Sequence, residues 1–222
     1  MVVKFIDCTE TYHSDMNKII DFLSNYLSSQ NIKNYVLKLS EMKIVKCTQC
    51  RCCTQRKGES PVKCVIKDDM NKTIDEIEEA DAYIILADRN NLFSKNKIHE
   101  KFSERLVAYY YWPYGQTNSV PRRITLQKKS ILINYNTTKY FLNHSFYTAK
   151  KYMEHASTSI GAKVIDWEAI TPEENLIKTY SSRLKNMADQ LIASFEQKVS
   201  WFYLILGDFL VPWNLNIVWN NF

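Results

Sequence analysis

The sequence predicts an α/β protein built on a doubly wound, five-stranded parallel sheet of order 2-1-3-4-5, with an apolar C-terminal extension. Short apolar runs rich in β-branched residues alternate with longer segments of helical periodicity along most of the chain. The run at 82–87 (AYIILA) lacks a charged position, as expected of a strand covered on both faces.

The elements follow in order. Residues 2–6 read as a first buried strand, and 15–28 as a helix with Met16, Ile19, Ile20, Leu23 and Leu27 at helical spacing. Residues 35–39 alternate as a second strand. Asp69 is placed to cap a helix holding Met70, Ile74 and Ile77 on one face. After the third strand at 82–87, a helix is expected over 97–111, a fourth strand at 130–134, a helix over 145–160 and a fifth strand at 162–167. Thr171-Pro172-Glu173-Glu174 has the form of a helix start, with a capping hydroxyl, an early proline and a glutamate three residues on. That helix is expected to run to about residue 198.

Residues 1–198 therefore form the expected domain, and 199–222 an apolar aromatic tail in which Asp208 is the charged side chain. Asp208 and Pro212 interrupt the stretch a membrane span would need. The tail reads as cover for a neighbouring subunit, as a strap on its own domain, or as a membrane-surface contact through its tryptophans.

The chain has 222 residues, 45% hydrophobic and 24% charged, which are globular values. Its formal charge of +5 is scattered apart from Arg122-Arg123 and Lys128-Lys129, which excludes a nucleic-acid partner from the expectations. Lys4 and Asp7 break the N-terminal apolar run, so it does not read as a signal peptide. Clustered cysteines without an export signal point to the reducing cytoplasm, with membrane association through the tail as an addition.

All cysteines but Cys8 lie between positions 47 and 64. Cys47, Cys50 and Cys53 are spaced C-x2-C-x2-C, Cys52 is an extra thiol, and Cys64 follows before the acidic turn at 66–69. Such a block is an iron–sulfur site, a zinc site, or a loop of free or redox-active thiols. Cys47, Cys50, Cys53 and Cys64 would supply the four thiolates of a [4Fe–4S] cluster. Cys8, at the end of the first strand, reads as a packed small residue. His13, His99, His144 and His155 show no metal spacing. In a doubly wound sheet the ligand lies beyond the carboxyl ends of the strands, so the loops at 7–15, 87–96 and 134–144 are the candidate site.

Several motifs together resemble one family, the flavodoxin-like NAD(P)H-dependent FMN reductases and their iron–sulfur flavoprotein relatives. They are the C-x2-C-x2-C…C-V-I-K-D-D-M block at 47–70, the AYIILA strand followed by Asn91, and Phe102-Ser103-Glu104-Arg105-Leu106-Val107. Trp112-Pro113-Tyr114-Gly115 and Ile160-Gly161-Ala162-Lys163 complete the pattern, which covers roughly residues 1–195. The resemblance implies FMN held by the first loop, an isoalloxazine ring against the second and third loops, electrons from NAD(P)H, and a small acceptor such as a flavin or quinone. It also implies a homo-oligomer. By this resemblance the cofactor-binding residues are Thr9, Thr11, Ser14, Arg89, Asn90, Asn91, Phe93, Asn134, Asn136 and Thr137. The metal ligands would be the four cysteines named above.

The first loop departs from the family's glycine- and arginine-bearing pattern: it reads DCTETYHSD at 7–15, with acidic residues at Asp7, Glu10 and Asp15. Like charges near a phosphate oppose its binding. The second loop, ADRNNLF at 87–93, has no glycine for positive φ. These departures motivate a rival reading, a flavodoxin-like scaffold that has lost flavin and serves as a binding or membrane-associated protein. A further alternative is an iron–sulfur electron carrier.

Overall fold

The structure is a computed structural model that describes residues 1–10, 14–88, 96–123, 126–136 and 148–209. Its strands are β1 (Val2–Asp7), β2 (Lys33–Lys38), β3 (Ala82–Asp88), β4 (Tyr110–Tyr111), β5 (Val120–Pro121), β6 (Lys128–Tyr135) and β7 (Ala162–Ile170). Its α-helices are α1 (Ser14–Ser29), α2 (Met70–Glu78), α3 (Lys97–Arg105), α4 (Thr148–Ser159) and α5 (Leu176–Phe209). The main sheet has five strands in the order β2-β1-β3-β6-β7, every neighbouring pair parallel. Counting only these long strands, that is the expected order 2-1-3-4-5. A short antiparallel ribbon, β4 with β5, stands apart.

Successive residues of the central strands enter two separate cores. Val3, Phe5, Ile84, Ile131 and Ile133 pack with Met16, Ile19 and Leu23 of α1 and Leu184, Met187 and Leu191 of α5. Ile6, Ile85 and Leu132 pack with Ile74 and Ile77 of α2, Phe102 of α3, and Met153 and Ala156 of α4. Burial on both faces explains the unbroken apolar runs. Each such side chain contributes about 1.5–3 kcal/mol.

Two left-handed residues turn helices back into strands. Asn31 (φ 59°) ends α1, where the Ile32 amide bonds back to the Leu27 carbonyl at 3.0 Å. Gly161 (φ 77°) does the same between α4 and β7.

Some element boundaries differ from expectation for identifiable reasons. The helix expected over 97–111 ends at Arg105, continues as a 3-10 turn (Leu106–Tyr109), and becomes β4. The turn and β4 are held from outside the helix: Ala108 O accepts from the Val62 amide (3.2 Å) and Arg122 Nε (2.9 Å), and Tyr109 O from the Arg122 amide (2.9 Å). The helix expected from Thr171 starts at Leu176 instead, because the Thr171 amide and hydroxyl are bonded to Tyr180 Oη. It runs to Phe209, past residue 198. Asp69 precedes α2 but does not cap it; its carboxylate accepts from the Lys43 amide at 2.7 Å, and Asp68 takes the Met70 amide at 3.2 Å. Among the described residues no helix is long and apolar enough to cross a membrane. Tail residues 210–222 lie outside the described residues.

Candidate functional site

The parallel register brings the carboxyl ends of three strands side by side. Asp7 lies opposite Leu86, Ala87 opposite Asn134, and Asp88 opposite Tyr135. The loop leaving β1 is closed on itself there. Asp7 Oδ1 accepts from both the Thr9 amide (3.0 Å) and the Thr9 hydroxyl (2.7 Å). Asp88 Oδ1 accepts from the Glu10 amide at 2.7 Å. Asn96 then stitches the loop to the start of α3. Its amide nitrogen donates to Cys8 O (2.7 Å), Asp88 O (3.1 Å) and Asp88 Oδ1 (2.6 Å), while its oxygen caps α3 by accepting from the His99 amide at 2.8 Å. The Glu10 carboxylate in turn accepts from the Lys97 amide at 3.2 Å.

Asp7 and Asp88 are 4% and 2% exposed. Burial, followed by the smaller effect of Asp88's charge, raises the Asp7 carboxyl above its ordinary range against the hydrogen bonds from Thr9. Asp15 sits in the first turn of α1, where its carboxylate accepts from Tyr135 Oη at 2.9 Å. Burial and that carboxylate push the Tyr135 phenol up to about 12. The first turn of α1, where the helix dipole favours an anion, thus carries Asp15, which also accepts from Lys18 Nζ at 2.9 Å.

Asn134 differs from these. It is 1% exposed, on β6, with small residues Ala87 and Ala169 beside it in register, and neither its Oδ1 nor its Nδ2 has a partner. A buried amide left unbonded costs about 1–3 kcal/mol, so a group with this burial calls for an explanation.

The sequence-predicted cofactor residues separate accordingly. Thr9, Asn134 and Asn136 lie at the strand ends; the Thr9 hydroxyl is taken by Asp7, and the Asn136 backbone N–H donates to the Ile170 carbonyl at 2.9 Å. Ser14 opens α1 and is exposed. Thr11, Arg89, Asn90, Asn91, Phe93 and Thr137 lie outside the described residues. Sequence reasoning missed Asp88 and Asn96. Their signals were present: an acid closing an apolar strand, and an asparagine just before a helical run.

The cysteine block forms a second feature. Cys47, Cys50, Cys53 and Cys64 line one cavity of about 310 Å³, with Ile66, Val107 and Trp112 among its walls. Two buried arginines hold it. Arg122 donates to the carbonyls of Cys53 (2.9 Å), Arg56 (2.7 Å) and Gly58 (3.2 Å). Arg105 forms a bidentate pair with Asp68 (2.6 and 3.0 Å) and donates to Val45 O at 2.9 Å. Burial raises the Asp68 carboxyl, but the Arg105 bonds with those from the Val45 and Met70 amides outweigh it and leave the group below its ordinary range.

The thiols are not equivalent. Hydrogen bonds from the Cys52 amide and thiol pull Cys50 down, whereas burial pushes Cys53 up to about 11. All the cysteines are free. The four cysteines named as alternative cluster ligands are not gathered as such: among the described residues no three His, Cys, Asp or Glu side chains converge as metal ligands. Cys8 is fully buried, raised by burial and by Asp7 and Asp88. His99 is buried too, with Nε2 unbonded.

No family model matches the chain, nor does any curated protein. Solved structures do. NAD(P)H:quinone oxidoreductase from Methanothermobacter marburgensis superposes with a TM-score of 0.60 at 11% identity, over 85% of this chain and 96% of that one. An FMN-dependent NADH-azoreductase from Bacillus anthracis, in complex with FMN, gives 0.51 at 11% identity over 88% and 98%. A flavodoxin of Streptococcus pneumoniae gives 0.51 at 14% identity over 87% and 99%. The strand order, the two helical layers and these likenesses agree: the chain has the flavodoxin-like fold.

Proposed function

We propose that the chain is a flavin-dependent oxidoreductase that draws electrons from NADH or NADPH and delivers them to a small acceptor of the quinone or flavin class. The observation that carries the reading is the Asn134 amide, buried, unbonded and flanked by alanines at the carboxyl end of β6, where ligands of this fold lie. A planar ring with alternating donors and acceptors at its edge satisfies both ends of such an amide. The named activities of the structural neighbours support the same class.

A bound flavin supplies the electron transfer itself; the chain binds the ring, orients it and keeps water from it. The unbonded Asn134 amide is a group that the ring end of FMN would satisfy. The phosphate end does not fit the amides of Thr9 and Glu10, which Asp7 and Asp88 already hold. That same closed loop favours the second reading, a flavodoxin-like scaffold without flavin.

The test is the visible spectrum of protein purified without oxygen, then incubated with excess flavin. A flavin band supports the oxidoreductase. A protein that stays colourless with both FMN and riboflavin refutes it. Asn134→Leu is expected to lose flavin binding while keeping or gaining stability, since it removes an unbonded buried amide.

A further inference from the structure

We propose that the cavity of the cysteine loop is a covalent capture site for apolar α,β-unsaturated carbonyl compounds, with Cys50 as the attacking thiol. Nothing in it depends on a bound flavin.

The cavity holds about 310 Å³, within the range of small-molecule sites, about 300–1,000 Å³. Ile66, Val107 and Trp112 give it an apolar and aromatic wall. The Arg51 guanidinium lies 4.6 Å from the Trp112 ring centre and continues that wall with a cation. Its shape is fixed by bonds to the backbone around it. The Trp112 amide donates to Thr54 O at 2.8 Å, and its indole N–H to Gln116 O at 2.7 Å. Asn71 clamps Cys64 through the cysteine's amide and carbonyl, at 2.7 and 2.9 Å. The loop turns through two left-handed residues, Gln49 (φ 56°) and Arg51 (φ 61°). That conformation is costly for residues with a Cβ, and such strain gathers at functional sites.

Two thiols of the chain are exposed, Cys50 and Cys52. Cys50 lines the cavity; Cys52, two residues on, does not. The other thiols of the cavity are less open, with Cys53 buried and Cys47 and Cys64 half-buried. Cys50 is therefore the thiol that combines solvent access with an apolar seat beside it. In the reaction the thiol gives its proton to solvent and its sulfur bonds the β-carbon of the ligand. The C=C π pair moves toward the carbonyl oxygen, and the resulting enolate takes a proton from water at the α-carbon. Nothing is oxidised and no group leaves. Arg105 is committed to Asp68, which leaves Arg51 as the cavity's cation for the developing enolate charge.

The experiment treats the full chain with maleimide and with N-phenylmaleimide, which share one reacting group, and follows adducts at Cys50 and Cys52 by peptide mass spectrometry. Any difference in ionisation between the two thiols acts on both probes alike, so it cancels when their Cys50-to-Cys52 rate ratios are compared. That ratio is expected to be about tenfold or more higher with N-phenylmaleimide, the gain from seating one phenyl ring. Ile66→Asp, shown to be folded by circular dichroism, is expected to erase the gain. Arg51→Gln is expected to slow Cys50 about threefold with both probes. Equal ratios for the two probes on wild-type protein overturn the proposal. A first adduct at Cys47 or Cys64 overturns the assignment of Cys50. A folded Ile66→Asp variant that keeps the gain overturns the cavity as its cause, and an unchanged Cys50 rate in Arg51→Gln overturns the part given to Arg51.

Discussion

Replacing Arg105 by alanine should be among the most damaging single changes in this protein. Arg105 and Asp68 are each 1% exposed at the side chain, bonded bidentately at 2.6 and 3.0 Å, and Arg105 also satisfies the Val45 carbonyl. Truncation leaves Asp68 as a buried carboxylate without its counter-ion, for which the expected loss is about 3–5 kcal/mol. Total stability of a domain is about 5–15 kcal/mol, so the variant should lie close to unfolding. At about 2–4 °C per kcal/mol for a chain of this size, its midpoint should fall by about 6–20 °C. Urea denaturation followed by far-UV circular dichroism measures the change. The double variant Asp68→Leu/Arg105→Met, which removes both charges, should recover part of the loss, since the Val45 and Met70 amides and the Val45 carbonyl lose these partners. The pH dependence has a definite sign. The folded Asp68 carboxyl is depressed, so the pair's contribution is complete above the unfolded value of about 4 and is lost as pH falls below it. A loss under about 1 kcal/mol in Arg105→Ala, or a double variant no better than the single, would refute the argument that this pair is dry and structural.

Two other expectations follow from buried or shifted groups. Burial, with a smaller push from His155, lowers His99 to about 4, so the unfolded chain takes up its proton first. Stability should therefore rise with pH between about 4 and 6.5, by up to about 1.4 kcal/mol per unit, and His99→Leu should flatten that slope in urea melts; an unchanged slope would show that another group is responsible. Among the thiols, Cys50 should be alkylated first by iodoacetamide at mildly alkaline pH, with Cys8 and Cys53 labelled only on unfolding, as read by peptide mass spectrometry. Equal rates at Cys50 and Cys53 would count against the bond pattern around Cys52.

The sheet was legible because its signal is local. A strand such as 82–87, apolar throughout, has few readings other than burial on both faces, and helical spacing in Met16–Leu27 names the buried side of α1. What failed was decided by partners outside the local hydrophobic pattern. Thr171 looks like a cap until Tyr180 takes its hydroxyl, and 106–111 looks helical until the Ala108 and Tyr109 carbonyls are bonded to Val62 and Arg122. The site was only partly legible for the same reason. Acidic residues at 7 and 10 announced that the first loop was unusual, but not that Asp7 and Asp88 would bond its amides, because that depends on a pairing across strands. The cysteine spacing suggested ligation; the loop's conformation sets the sulfurs around a cavity instead of around a common point.

The long-range bonds of the cysteine loop also set an order in time. Its carbonyls at Cys53, Arg56 and Gly58 wait for Arg122, the Thr54 carbonyl waits for the Trp112 amide, and the Val62 amide waits for Ala108. A chain emerging from the ribosome at about 5–20 residues per second makes those partners several seconds after the cysteines. Until residue 122 is out, the segment lacks these bonds, and Cys53, buried in the finished fold, stands as open as Cys50 and Cys52 remain. Late closure by Arg122 thus separates Cys53 from the surface thiols only once the chain has passed residue 122.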